Sequence, residues 1–253
     1  MYLVKSCKKK DHPHQSGTLK IGSLAEYRDT ENKQVEDREE GFYRIKFDLN
    51  DKWISTDLFN YLNYSHSSNL SAHIHLLNIK NQDFSSVHVD YKADYKWVNH
   101  NRFIFCITKT ERVEEAQGIF SGYDDSWSVN YNKIAWLKRS MEMAVLDKIK
   151  GMISSGNLIF GDSFNNPDKI SIESYSQDII YQTRDLYLGN KDIDPMTDTL
   201  ISLFKNVKFI KPVYFKKEKE LRFVFDFYYD GQIVFPQINS LIIPSEGIVD
   251  LFD

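Results

Sequence analysis

Several features are scarce or missing. The 253 residues include two cysteines, Cys7 and Cys106, far apart along the chain. They supply neither a disulfide framework nor metal-ligand spacing, which fits a reducing compartment. No segment approaches the ~18 consecutive apolar residues of a membrane-spanning helix. The opening stretch MYLVKSCKKKDHPH also lacks the apolar run of a signal peptide, so a cytoplasmic protein with no membrane contact is expected. A large excess of one charge is absent too. The formal net charge is -4, so bulk charge does not predict nucleic-acid binding and any such contact needs a local patch. No GxGxxG follows a strand and no Walker loop occurs, which argues against a doubly wound dinucleotide fold and a P-loop NTPase. Repeats, low-complexity tracts and a clear linker are likewise missing.

Aromatic residues are abundant, with 15 Tyr and 17 Phe. Together with 42% apolar content they argue against disorder and for a sheet-rich globule. YLVKS reads as a strand, and CKKKDHPHQSG as a polar loop closed by Gly17. TLKIGSLAEYR reads as a strand broken at Gly22 that runs on into a short helix or turn. FYRIKFDL alternates, with Tyr43, Ile45, Phe47 and Leu49 on one face and Arg44, Lys46 and Asp48 on the other. SAHIHLLNI and SSVHVDYKA read as further strands. NRFIFCITK is mostly apolar on both faces and is placed centrally. Apolar residues at 134, 137, 141, 145 and 149 mark the strongest helix, with Gly151 and Gly156 limiting its end. NLIFGDSF reads as short and extended, and PDKISIESYSQDIIYQT as two strands or a hairpin. A second helix is expected from DPMTDTLISLFKN, capped by Asp194 with Pro195 in its first turn. QIVF and NSLIIP suggest a final pair of strands. The pattern predicts an α+β fold with a mainly antiparallel sheet and few helices.

The segment YFKKEKELRFVFDF, Tyr214–Phe227, carries the sharpest signal. Taken as one strand, its odd positions from 221 onward, Leu221, Phe223, Phe225 and Phe227, form an apolar face. Glu218, Glu220, Arg222, Val224 and Asp226 share the other. Glu218 and Glu220 then lie about 7 Å apart, so each raises the other's pKa unless a cation such as Arg222 intervenes. The plain reading is a solvated strand edge, where such charges discourage edge-to-edge pairing. The functional reading is an E-x-E carboxylate pair at the mouth of a cleft.

GTLKIGSLAEYRDTENKQVEDREEG near the start, FIFCITK and GYDDSW in the middle, and KPVYFKKEKELRFVF near the end occur in one order. That order resembles ADP-ribosyltransferase toxins of bacterial phage-defence and toxin–antitoxin–chaperone systems. The resemblance implies a single split-sheet ADP-ribosyltransferase-like domain over 1–253, with NAD⁺ as co-substrate in a cleft and no metal. Glu220 would be the catalytic glutamate, and Glu218 would help to place the acceptor. Tyr27 would stack on the nicotinamide and Arg28 would hold the pyrophosphate or a neighbouring carboxylate, with Ser23 and Arg222 completing the NAD⁺ contacts. The chain departs from the pattern in having only Thr108 where a Ser-Thr-Ser is usual, and Lys5 and Ser6 where the first strand usually offers His or Arg. The implied partners are a nucleic-acid or protein acceptor, an antitoxin and a chaperone. A non-enzymatic nucleotide- or peptide-binding defence sensor is the alternative, with the same charges serving structure.

Other groups read more plainly. His73 and His75 share a strand face near His66 and His88, but no Cys or acidic residue stands at a ligand spacing beside them. DREEG, Asp37–Gly41, reads as a solvated turn, or as a flap over the cleft. Lys133, Lys138, Arg139, Lys205, Lys208, Lys211, Lys216, Lys217 and Lys219 would form a basic surface only if the fold gathered them.

Overall fold

The computed structural model describes residues 1–31, 36–63, 68–193, 199–200, 202–203 and 205–253, with the backbone alone at 63 and 68–70. In chain order its strands are β1 (Tyr2–Cys7), β2 (Thr18–Ser23), β3 (Phe42–Ser55), β4 (Ser68–Gln82), β5 (Ser86–Asn99), β6 (Phe103–Thr110), β7 (Asp125–Asn130), β8 (Ile170–Asp178), β9 (Ile180–Tyr181), β10 (Asp185–Gly189), β11 (Ile210–Lys211), β12 (Glu220–Tyr229), β13 (Gln232–Val234) and β14 (Ser240–Pro244). The α-helices with described bounds are α1 (Pro13–Ser16), α2 (Leu24–Asp29), α3 (Thr56–Asn63) and α4 (Ile134–Ser154), and residues 199–200, 202–203 and 205, within the second expected helix, are helical as well. The fold is α+β and its strands pair mostly antiparallel. The expected Asp194 cap and Pro195 lie outside the described residues.

Chain contacts divide into two compact units. The first comprises Met1–Glu40, Asn101–Ile179 and Tyr214–Asp253, and the second comprises Gly41–His100 and Ile180–Val213. The first unit is built on an eight-stranded sheet. β12 runs between β6 and β8, each antiparallel to it, and continues through a turn into β13. The far edge of β6 is shared. Its start pairs with β2 at Gly22 and Ser23, and its end pairs with β1 at Tyr2 to Val4. β1 then leads out to β7, and β2 to β14. The sheet therefore forks along β6, with Phe105, Cys106 and Ile107 at the fork.

Leu221, Phe223, Phe225 and Phe227 bury their side chains in one core with Phe103, Phe105 and Ile107 of β6, as the alternation requires. Helix α4 closes that core with Leu137, Met141, Val145, Ile149 and Ile153. Each such side chain contributes on the order of 1.5–3 kcal/mol by leaving water. The helix continues through Gly151 to Ser154, so that glycine does not end it.

One further expectation changes: NLIFGDSF forms no strand and buries Ile159 and Phe160 through bends. PDKISIESYSQDIIYQT gives two strands, β8 on β12 and β9 on β11, and the final two strands also form, β13 on β12 and β14 on β2.

The second unit holds a four-stranded sheet in the order β10-β3-β5-β4, in which β10 runs parallel to β3. Its core combines Tyr43, Ile45, Phe47 and Leu49 of β3 with Val89, Tyr91, Tyr95 and Trp97 of β5, covered by Leu58 and Leu62 of α3. The two-residue strands β9 and β11 pair beside it. Among the described residues no helix is long and apolar enough to cross a membrane.

Candidate functional site

The strand expected over 214–227 starts only at Glu220. Val213–Glu218 forms a 3-10 segment, and Lys219 adopts a positive φ of 46° that breaks the extension. Glu218 therefore does not alternate with Glu220 along one strand, and the 7 Å spacing does not apply. The polar face of β12 is not a solvated edge either. Pairing on both sides and cover on both faces leave Glu220 4% exposed and Arg222 fully enclosed.

The reason lies 182 residues upstream. Arg222 donates Nη1 to Glu40 Oε1 at 2.8 Å and Nη2 to Glu40 Oε2 at 3.2 Å, a forked pairing that matches the planar guanidinium. Its Nε donates to Glu220 Oε1 at 2.8 Å. Burial alone would lower the pKa of Arg222, but the charges of Glu220 and Glu40 hold it well above its ordinary value. Glu40 belongs to DREEG, which sequence reading placed as a solvated turn or as a flap over the cleft. Glu40 and Asp37 are both buried. The turn is tied to α2, where the Asp37 amide donates to the Tyr27 carbonyl at 2.9 Å and Arg28 Nε donates to the Glu40 carbonyl at 2.6 Å.

Helix α2 brings Tyr27 to the same place. Ser23 caps the helix, its Oγ accepting from the Glu26 amide at 3.2 Å, while Asn101 Oδ1 accepts from the Ala25 amide at 3.0 Å. Gly22 makes the close approach possible. A Cβ there would stand 3.1 Å from the Tyr27 ring and 2.8 Å from a Glu26 carboxylate oxygen. The Tyr27 phenol is held well above its ordinary pKa, first by burial and then by Cys106 and Glu220, and it hydrogen-bonds with Cys106. Cys106 lies opposite Arg222, and Thr108 opposite Glu220, in the β6–β12 register. Lys5 Nζ reaches across the fork of the sheet to the Cys106 carbonyl at 2.7 Å.

Tyr27, Arg28, Glu220 and Arg222 thus meet around Glu40, an acid that sequence reading did not select. Ser23 stands at the start of the same helix with its hydroxyl used as a cap. Glu218 is buried at the end of the 3-10 segment. A second buried pair, Arg102 with Asp226 at 2.6 Å, occupies the same face of β12 further along.

The other candidates go elsewhere. His75 Nε2 lies 2.7 Å from Asp94, and His88 stacks on Trp53 with centroids 4.8 Å apart. His66 is outside the described residues, among which no group of three His, Cys, Asp or Glu is placed to hold a metal. Several of these basic residues have acidic partners: Lys219 meets Glu115 at 3.1 Å, Lys133 meets Asp253 at 2.8 Å, and Arg139 meets Glu142. Lys211 is buried in the second unit.

No family model matches the chain, and no curated protein or solved structure shows significant similarity to it.

Proposed function

We propose that the chain is an NAD⁺-dependent ADP-ribosyltransferase with an ADP-ribosyltransferase-like fold. In this reading it is a toxin of anti-phage defence that modifies a macromolecule, with nucleic acid, RNA included, favoured over protein. An antitoxin holds it in check, with a chaperone as a further partner, and no metal takes part. The observation that carries the reading is the meeting of Tyr27 and Arg28 from one helix with Glu220 and Arg222 from a central strand.

Glu220 is the carboxylate that stabilises positive charge as the nicotinamide–ribose bond breaks and its electron pair leaves with nicotinamide. The acceptor nucleophile bonds to the ribose anomeric carbon, and its proton passes to Glu218 as general base. Tyr27 supports the nicotinamide ring, and Arg28 with Ser23 marks the cofactor side. Arg222, enclosed between two carboxylates, acts by fixing the orientation of Glu220 rather than by touching phosphate.

The full chain incubated with labelled NAD⁺ and RNA, DNA or protein extract is expected to release nicotinamide and to label one acceptor class. Glu220→Gln keeps the side-chain volume and an acceptor for Arg222, and is expected to slow release by ~10²–10³. Wild-type protein that releases no nicotinamide with any acceptor sinks the reading. The near-complete enclosure of Glu220 and Arg222 favours one competitor, a non-enzymatic module that binds a nucleotide or peptide and uses the cluster as a structural tie. For that module NAD⁺ or ADP-ribose raises the melting temperature without turnover, and Glu220→Gln alters only stability or binding.

A further inference from the structure

The second unit presents a different kind of surface. The solvent face of its four-stranded sheet carries a groove of about 730 Å³ across all four strands. The size falls within the roughly 300–1,000 Å³ usual for ligand sites. The register sets two rows across it: Asp185, Arg44, Lys96 and Ser71, then Tyr187, Lys46, Asp94 and His73. Arg44, Lys46 and Lys96 outnumber Asp94 and Asp185 in these rows.

We propose that this face binds single-stranded nucleic acid, with phosphates on Arg44, Lys46 and Lys96 and a base stacked on Tyr187. Two observations carry it. Two of the three cations are held by exposed carboxylates, Arg44 to Asp185 at 3.2 Å and Lys46 to Asp94 at 4.0 Å, while Lys96 Nζ lies 4.5 Å from the centre of the Phe42 ring. Such exposed pairs are weak, so a phosphate can displace the carboxylate at little cost, and a polyanion gains further by releasing its counterions. Exposed rings lie on the same face. Tyr187 is 57% exposed and its hydroxyl is held by Asp48 at 3.0 Å. Trp53, 41% exposed, lies on the same face of β3, seven residues or about 20 Å beyond Lys46. Rings that stand out of a sheet between basic side chains are the general platform for unpaired bases.

The inference goes beyond the transferase reading and does not need it, since it concerns the other unit and requires no NAD⁺. The full chain is titrated, without NAD⁺, into short fluorescein-labelled oligonucleotides of one unstructured sequence, as RNA and as DNA, and anisotropy is followed at several salt concentrations. Saturable binding that weakens with salt is expected. Combined Arg44→Ala, Lys46→Ala and Lys96→Ala should weaken it at least tenfold. The same variant should lower the salt slope by about 2, at about 0.7 for each lost phosphate contact. Tyr187→Ala should cost about tenfold and Tyr187→Trp should restore binding, a rescue that a merely structural tyrosine would not give. Lys148→Ala on the exposed side of α4 serves as the control, and circular dichroism checks that each variant is folded. Absent binding at low salt overturns the proposal, as does wild-type affinity in the triple variant. Equal competition by polyglutamate also overturns it and reassigns the face to acidic peptides.

Discussion

β12 and β5 are both interior strands, each with a neighbour on either side, yet they treat charge in opposite ways. β5 alternates strictly: Val89, Tyr91, Ala93, Tyr95 and Trp97 are buried, while Asp90, Lys92, Asp94 and Lys96 point to the solvent face. β12 also alternates, but Glu220, Arg222 and Asp226 are buried along with the phenylalanines between them. The difference lies in what covers the polar face. In the first unit Glu40, Tyr27 and Arg102 lie over β12 and meet its charges. In the second the polar face stays open. A charge in water is supported by solvent, whereas a buried one depends on a partner fixed elsewhere in the chain. The same period-two pattern therefore gives two surfaces with different tolerance to change, and substitutions can test how far the difference reaches.

The largest stability effect is expected at Arg222. Arg222→Met removes the group that joins Glu220 and Glu40 and leaves both carboxylates enclosed. It should destabilise the first unit by about 3–5 kcal/mol in urea denaturation. Arg222→Lys should recover little, because an ammonium cannot reproduce the fork on Glu40 together with the bond to Glu220. If Arg222→Met melts like wild type, the cluster is not the tie that separates the two strands' behaviour.

A smaller loss is expected where α2 crosses β2. Gly22→Ala places a methyl 3.1 Å from the Tyr27 ring, which must shift by a few tenths of an ångström, while the end of Glu26 swings away. Overpacking of this kind costs about 1–3 kcal/mol. Under the transferase reading the same shift should lower NAD⁺ turnover in Gly22→Ala more than it lowers the melting temperature. Unchanged turnover would remove Tyr27 from the cofactor site.

These contrasts also explain what the sequence could disclose. The alternation in FYRIKFDL and the stripe through Leu137, Met141, Val145 and Ile149 are local periodicities, and β3 and α4 follow them. The odd face of β12 was legible for the same reason. The burial of its even face was not, because it depends on Glu40, 182 residues away, and on pairing with both β6 and β8. DREEG carries three acidic residues and a glycine, the composition of a solvated turn, and nothing local tells that Glu40 turns inward. Likewise the break at Lys219 is a backbone conformation that a lysine adopts without any composition signal. Tyr27, Arg28, Glu220 and Arg222 were found as motif residues. The acid that draws them together was found only in three dimensions.

Alkaline titration compares the two interiors more gently. Burial, and then Asp185, push the Tyr43 phenol of the second unit up to about 12, and burial with Cys106 and Glu220 pushes up Tyr27 in the first. A phenol whose folded pKa exceeds its unfolded value of about 10 keeps its proton longer in the folded state. Its contribution to stability is intact below pH 10 and is lost as pH rises through the folded value. Tyr43→Phe should flatten the fall in stability between about pH 10 and 12, and Tyr27→Phe should do so independently. Phenolate absorbance followed through unfolding checks both. If Tyr43 ionises at its ordinary pKa in folded protein, the second interior is more open than its packing implies.

The smallest effect is expected on the open face of the second sheet, at the opposite end of the pH scale. Hydrogen bonds from Lys80 and from the Asp51 amide hold the Asp90 carboxyl down at about 2. Lys80 Nζ stands 2.7 Å from both Asp90 and Asp51. A carboxyl with a lowered folded pKa supports the fold above its unfolded value of about 4, and the support is lost as pH falls through 2. Asp90→Asn should therefore lower stability modestly at neutral pH, flatten the acid limb between about pH 4 and 2, and converge with wild type as pH falls to about 2. Because the pair faces water, added salt should shrink the difference between wild type and variant. The same salt series applied to Arg222→Met should leave its deficit almost unchanged, since ions do not reach a guanidinium enclosed between Glu40 and Glu220. If both deficits fade alike with salt, β12 carries its charges in the same way as β5, and the contrast between the strands is one of geometry alone.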